Sequence, residues 1–453
     1  MRLPAPPPRP RSSRPRAEPR LALVEPSATE PRPVEVPSAA PVSLGGDDAG
    51  APVLIAGAGA AGLACALAAA RGGVSVLLCE RAPALGGTVA GAQIHTLGGL
   101  CNEAGEPVLA GPPGALVAEL VERLKAADPR TTSRRIGRTR VLGVDPAVYR
   151  AVVTAWVAEE PRIRCLTGSE VVALERADGG IVGATLDTGG QLHRLRPRAL
   201  VDATGEAAVV RRLDPDLVEP GEALAGLVAV LRGVEPGTLA FPKGVALIRR
   251  LRDAVAAATL PPECATLWPD SGVGADEVYL KLNLPAADFD PARMDAVLAR
   301  LLDWLRPLPG FAAARLGTRG ALGVRDGGRI RGVYRLTEAD LTAGRRFPDA
   351  ACCGCWPLEH RHPREGVQLQ YLPPGTRYDI PLRALAVRGV AGLYAAGRCL
   401  SAEPRAQASA RVVGTCWGMG AGLGRHLAER AGGARATTPA RQARLTPTAP
   451  GGA

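Results

Sequence analysis

The chain has 453 residues, of which 46% are hydrophobic and 22% charged, and a formal net charge of +11. That length allows about two or three domains, and no apolar run reaches the ~18 residues a membrane helix needs, so no membrane partner is expected. The charge does not describe a nucleic-acid surface either. Only Lys125, Lys243 and Lys281 are lysines, the arginines are scattered, and aromatic residues make up 3%.

The first fifty residues are Pro- and Arg-rich and lack the apolar core of a signal peptide, so they read as disordered or as an overlong gene start. The tail 431–453 reads as disordered too. With no secretory signal, the ten cysteines are expected to be reduced and the location cytoplasmic.

VLIA at 53–56 is a short buried strand. Gly57, Gly59 and Gly62 follow at G-x-G-x-x-G spacing, and an Ala-rich helix runs through residues 60–70, including Ala61. The first glycine permits the turn, the second lets backbone approach a pyrophosphate, and the third lets helix and strand pack closely. VSVLL is a second strand ending at Glu80, whose carboxylate would accept from ribose hydroxyls. A bare glycine motif says little. One that follows a strand, opens a helix and precedes an acid by about 20 residues is a dinucleotide site.

A Gly-rich loop follows, with Gly86, Gly87, Thr88 and His95. Helical spacing of apolar residues predicts helices over 115–127 and 146–159. From Ile163, IRCLT, VVALER and IVGATLD read as a β-meander, and RALVDATGE as a strand entering Thr204-Gly205. Residues 291–306 are an amphipathic helix. GLYAAGRCL is a strand and glycine turn, with a helix beginning near Arg411.

A nicotinamide dehydrogenase would complete its sheet with consecutive strand–helix units. Here a meander and a long insertion intervene before the fold closes through 199–206 and 391–398. Residues 53–88, 199–206 and 378–424 resemble the FAD-dependent oxidoreductases of the glutathione-reductase-like superfamily. More narrowly, they resemble the flavin core of the heterodisulfide reductases. The match rests on GAGAAG…E…GGT, VDATGE, GVRDGGRIRGVYRLTEADL, and the run from YDIPLRALAVRG to VVGTCWGMGAG.

The resemblance implies an α/β fold: a discontinuous Rossmann-like FAD-binding domain (51–90, 146–210, 381–430) with an inserted mixed α+β substrate domain (91–145, 211–380). It implies non-covalent FAD. Gly57, Gly59, Ala61, Gly62, Glu80 and Arg81 would meet the adenosine end, and Gly62, Gly86, Gly87 and Thr88 the pyrophosphate. The meander valines Val171 and Val172 would lie near adenine, Thr204 and Gly205 beside the cofactor, and Gly397 and Arg398 on the ribityl–phosphate side. The helix start near Arg411 would face the flavin pyrimidine. The chain departs from that family where an arginine pair is replaced by Gly328-Arg329, and where the histidine register shifts to His360 and His362.

For chemistry, His95 and His362 are candidate proton-transfer groups. Arg325 is a candidate for holding an anionic group, with Arg377 and Arg383 behind it. Cys352-Cys353-x-Cys355 matches neither zinc nor ferredoxin spacing, so no metal is expected. With only Cys101 in the first loop, a disulfide-reductase reading fails. GMGAGLG at 418–424 has no strand before it and reads as close helix packing. The expected activity is hydride transfer between a small organic substrate and flavin, with an unknown electron acceptor. The alternatives are flavin monooxygenation and a non-catalytic electron carrier.

Overall fold

The computed structural model describes residues 51–436, except 222 and 363–365. The segment 1–50 and the last 17 residues, both expected to be disordered, lie outside the described residues.

Val53–Ala56 (β1), Val76–Glu80 (β2), Ile163–Thr167 (β3), Ala199–Asp202 (β4) and Leu393–Ala395 (β5) form one parallel sheet in the order β5-β4-β1-β2-β3. Successive side chains of a strand alternate between faces. Val53 and Ile55 accordingly pack into a helical core, while Leu54 and Ala56 pack into a second cluster on the opposite face. A parallel sheet covered on both sides needs such uninterrupted apolar strands, and that is why VLIA and ALVD read as they do.

The meander covers the second face through Ser169–Ala177, Gly180–Thr188 and Gln191–Leu195, all antiparallel. IRCLT, expected as its first strand, instead pairs parallel with β2 and becomes the sheet edge. Its apolar pattern is compatible with either role, and tertiary pairing decides.

The helical face is built by Ala60–Arg71 (α1), Pro146–Ala158 (α2), Pro404–Ala410 (α3) and Val413–Ala436 (α4). The last helix takes in the first six residues of the tail expected to be disordered from 431. GMGAGLG is indeed a packing face. A Cβ on Gly420 would sit 2.1 Å from Ala61 O, and one on Gly424 2.3 Å from Cys65 O. α1 and α4 therefore approach backbone to backbone. Trp417 of α4 stacks on Trp156 at 5.7 Å and donates to Tyr149 Oη at 3.0 Å, which fixes α2 against α4.

Between β4 and β5 the chain inserts a four-stranded antiparallel sheet in the order Trp268–Ser271, Val278–Leu284, Ala225–Arg232, Arg315–Arg319. One face (Leu227, Ala229, Leu231, Val278, Leu280, Leu282) packs under helices Lys243–Ala256 and Pro291–Leu305. By the same alternation, Val228, Val230, Tyr279, Lys281 and Asn283 point the other way, where Ile94 of the Gly-rich loop meets Val228, Val230 and Tyr279. Among the described residues, no helix is long and apolar enough to cross a membrane.

Candidate active site

A cleft with about 1100 Å³ of empty space and an open mouth lies at the carboxyl ends of the parallel strands, where α/β sheets bind ligands. Its walls come from five distant stretches: Ala56–Ala61, Cys79–Arg81 with Gly87-Thr88, Ser169–Val171, Ala203–Val209, and Ala396–Arg398 with Arg411.

The glycines of the first stretch differ in purpose. Gly57 has φ +102°, and a Cβ there would lie 2.5 Å from Ala203 O. A Cβ on Gly62 would lie 1.8 Å from Gly57 O, so this glycine serves the contact between helix and turn. Gly59 has an ordinary φ of −81°, and an added Cβ would meet nothing closer than Gly87 Cα at 3.8 Å. The protein itself does not need glycine at 59. A Cβ there would fill only cleft space, in front of the uncapped N-terminus of α1.

Glu80 closes β2 and holds the turn: Oε2 accepts from Ala58 N at 2.7 Å and Oε1 from Ala82 N at 2.9 Å. Each carboxylate oxygen keeps capacity for a second donor. Asp202, fully buried at the end of β4, accepts from Thr204 N (3.1 Å), Thr204 Oγ1 (2.6 Å), Val209 N (2.9 Å) and Val210 N (3.0 Å). Burial raises its carboxyl pKa, and these donors pull it back. Asp202 thereby shapes the Thr204-Gly205 turn. No motif singles it out, although a carboxylate ending an apolar strand is the signal that could have found it.

Of the predicted cofactor residues, Gly57, Gly59, Ala61, Glu80, Arg81, Gly87, Thr88, Thr204, Gly205, Gly397, Arg398 and Arg411 all line the cleft. Gly62 and Gly86 stand behind the wall, Gly86 donating to Ala58 O at 3.0 Å. Of the two meander valines, Val171 lines the cleft together with Ser169 and Glu170, and Val172, at the irregularity of that strand, does not. Arg411 is not the first residue of a helix but the junction between α3 and α4.

Arg398 Nη1 donates to Thr88 Oγ1 at 3.3 Å, while the buried Nε atoms of Arg398 and Arg411 have no partner. Open space before Gly59, an uncapped helix N-terminus and the unsatisfied Arg398 Nε beside Thr88 all suit an anionic dinucleotide.

The catalytic candidates fare differently. Arg325 is anchored by Nη1 to Leu224 O (2.6 Å) and by Nη2 to Asn283 Oδ1 (2.8 Å). Gln407 Nε2 bridges Arg325 O (3.0 Å) and Arg398 O (3.1 Å), so Arg325 stands next to the cleft wall. Burial, then Arg361 and Arg411, push its pKa well down, with Glu359 opposing.

His95 does not line the cleft. It is fully buried, stacks on Tyr279 at 3.7 Å and lies 3.2 Å from Asp270, which also pairs with Lys281 (2.9 Å) and Arg134 (3.2 Å). Burial pushes its pKa down to about 4, against the pull of Asp270. His362 lies in Leu358–His362, where alternation sets Leu358, His360 and His362 on the face opposite Glu359 and Arg361. Neither imidazole is among the cleft residues.

Arg377 donates to Val108 O and Arg383 pairs with Asp349, both serving structure. The thiols of Cys352, Cys353 and Cys355 point to the carbonyls of Thr415, Val108 and Cys101. Among the described residues, no three His, Cys, Asp or Glu side chains gather as a metal site.

The model of a family described as FAD dependent oxidoreductase matches residues 52–219 and 239–435. A probable electron transfer flavoprotein-quinone oxidoreductase, YgcN of Escherichia coli (strain K12), is 32% identical over 189 residues, which is 40% of this chain and 42% of that protein. The chain therefore matches less than half the length of that relative. A geranylgeranyl bacteriochlorophyll reductase-like protein from Thermoplasma acidophilum is similar in structure, with TM-score 0.46 and 12% identity, over 85% of this chain and 79% of that one. The OxyS anhydrotetracycline hydroxylase from Streptomyces rimosus is similar too, with TM-score 0.46 and 15% identity, over 84% and 63%.

Proposed function

The chain belongs to the FAD-dependent oxidoreductase family and uses FAD as its cofactor, and on that footing we propose that it transfers a hydride between a small organic substrate and the flavin. The observation that carries this reading is the bridge from Gln407 to both Arg398 and Arg325. It joins the cofactor cleft to the polar face of the inserted sheet, where Asn283 holds Arg325. A cofactor kept only to stabilise a fold needs no such polar cluster beside it.

In this reading Glu80 and Arg81 take the adenosine end of FAD, and Gly59, Gly87 and Thr88 the diphosphate with the N-terminus of α1. Val171 packs near adenine. Gly397 and Arg411 border the redox end, and Arg398 reaches back to Thr88 at the diphosphate. When bound, FAD supplies a two-electron centre that accepts a hydride from a substrate carbon or returns one. The residues of the chain orient the substrate, and Arg325, its terminal nitrogens held by Leu224 and Asn283, keeps the field beside it positive. The glycine motif, VDATGE and the closing GRC segment also support placing the chain in the glutathione-reductase-like superfamily, near the flavin core of the heterodisulfide reductases.

A second reading, an electron-carrying subunit, is favoured by the name of the Escherichia coli relative. Anaerobic mixing of FAD-loaded protein with a panel of small oxidisable substrates, followed by the flavin absorbance, separates the two. Bleaching by an organic compound, with its oxidised product recovered stoichiometrically, supports hydride transfer. Reduction only by a protein partner replaces it with the carrier reading.

A further inference from the structure

Three arginines converge beside a single carboxylate, and a fourth stands next to them. Arg361 Nη2 donates to Glu359 Oε1 at 2.7 Å, and Arg411 Nη2 reaches Glu359 O at 3.4 Å. Trp356 Nε1 approaches Glu359 Oε2 at 3.3 Å. Leu224 joins Arg325 to Arg361: its carbonyl accepts from Arg325 Nη1, and its N–H donates to Arg361 O at 2.9 Å. Gln407 then ties Arg325 to Arg398. Residues 224, 325, 359–361, 398, 407 and 411 thus meet at one place, although they come from distant parts of the chain.

The charges do not balance. Arg398 reaches Thr88 and borders the diphosphate end of the cleft, so the cofactor accounts for it. Arg325, Arg361 and Arg411 remain, three positive charges against Glu359. Burial acts to raise the Glu359 carboxyl, but Arg361, Arg411, Trp356 and Arg325 hold it below its ordinary value. Arg411 is pushed down to about 10 by burial, with Arg361 and Arg398 adding repulsion and Glu359 opposing. Its buried Nε has no partner. Gathering like charges out of water is unfavourable unless something neutralises them.

Resting on the redox reading above, we propose that Arg361 and Arg411, backed by Arg325, form the receptor for a carboxylate group of the organic substrate. Arg361 is the adjustable member, only one of its donors being committed to Glu359. Glu359 shares the guanidiniums and competes with the incoming anion, so that the site stays neutral enough to fold before substrate arrives. Arg325, with both terminal nitrogens committed, is a positioning residue that keeps the field positive. A planar guanidinium presents two parallel donors to a carboxylate, and this geometry defines which end of the substrate enters first.

The test is titration of the FAD-loaded full chain with benzoate and succinate, and with their neutral amides benzamide and succinamide, following the flavin spectrum. The carboxylates should perturb it saturably and bind at least tenfold more tightly than the amides. Arg361→Gln should abolish that preference with FAD content unchanged, and Arg361→Lys should restore part of it. Glu359→Gln should tighten carboxylate binding by removing the competitor, an outcome that a purely structural role does not give. Equal binding of acids and amides, no spectral response to either acid, or an unchanged preference in Arg361→Gln overturns the proposal while leaving the redox reading intact. Protein that never retains FAD sinks both.

Discussion

The glycine end of the cleft and the arginine cluster beside it are built by different means. At the glycine end, recognition is made by backbone: Gly57, Gly59, Gly87 and the first turn of α1 leave room and expose N–H groups, and Glu80 and Asp202 brace the turns from behind. At the arginine end, the donors on offer belong to long side chains, Arg325, Arg361 and Arg411, held by Leu224, Asn283 and Glu359. The first arrangement is rigid, because a turn whose carbonyls touch a neighbouring helix has no alternative packing. The second can be retuned by changing one charge. A fold that keeps its cofactor and varies its substrate needs both.

The strictest break of this comparison is Gly62→Ala. With a Cβ 1.8 Å from Gly57 O, the turn and α1 cannot keep their contact. Overpacking against backbone is expected to cost about 3 kcal/mol or more, and the variant should be largely insoluble or melt far below the parent in thermal denaturation. A parent-like melt would show that the contact can give way.

Asp202→Ala comes next. Four donors lose a buried acceptor, and unmade buried hydrogen bonds cost ~1–3 kcal/mol each before relaxation and water recover part. A net loss of about 3 kcal/mol in denaturant unfolding is expected, with weakened FAD retention because Thr204-Gly205 is released. Asp202→Asn should keep about half of that stability. It preserves one acceptor oxygen but places an amide nitrogen against backbone donors.

Gly59→Val separates cofactor from fold at the same turn. A Cβ at 59 meets only open cleft, so the melting temperature without FAD should change little, while FAD affinity falls on the order of 100-fold or more, about 2.7 kcal/mol. Gly59→Ala should fall between. If the apoprotein unfolds instead, residue 59 belongs with Gly62 as a packing glycine.

These differences explain what is legible in the sequence. The glycine end is local: strand, turn and helix start lie within ten residues, and each glycine has a backbone reason that its spacing reports. The helices predicted over 115–127, 146–159 and 291–306 are observed at Gly111–Ala127, Pro146–Ala158 and Pro291–Leu305, because their apolar stripes face a core. The arginine end is not local. Glu359, Arg361 and Gln407 look unremarkable in LEHRH and RAQASA until folding brings residues 224, 325 and 411 to them. Val172 and Val171 are indistinguishable by spacing alone, which does not say which of two adjacent valines faces inward. His95 reads as a loop imidazole because its partners, Asp270 and Tyr279, lie far away in the chain.

The smallest expected effect concerns that histidine, and it probes the seam between loop and inserted sheet rather than either end of the cleft. His95 is neutral in the fold: burial disfavours its charged form, and Lys281 and Arg134 already neutralise Asp270. A base whose folded pKa is depressed from 6.5 to about 4 takes up its proton more readily when unfolded. The unfolded chain therefore binds more protons throughout that window, and stability rises with pH across it. The contribution is complete above about pH 6.5 and is progressively lost as pH falls toward 4. Between about pH 7 and pH 5 the loss should be about 2 kcal/mol. His95→Phe retains a ring for Tyr279 and removes the titration, so its denaturant midpoint should vary less between those two pH values than that of the parent. Equal pH dependence in both proteins would mean that His95 carries its proton in the fold, paired with Asp270, and the seam would then be ionic rather than stacked.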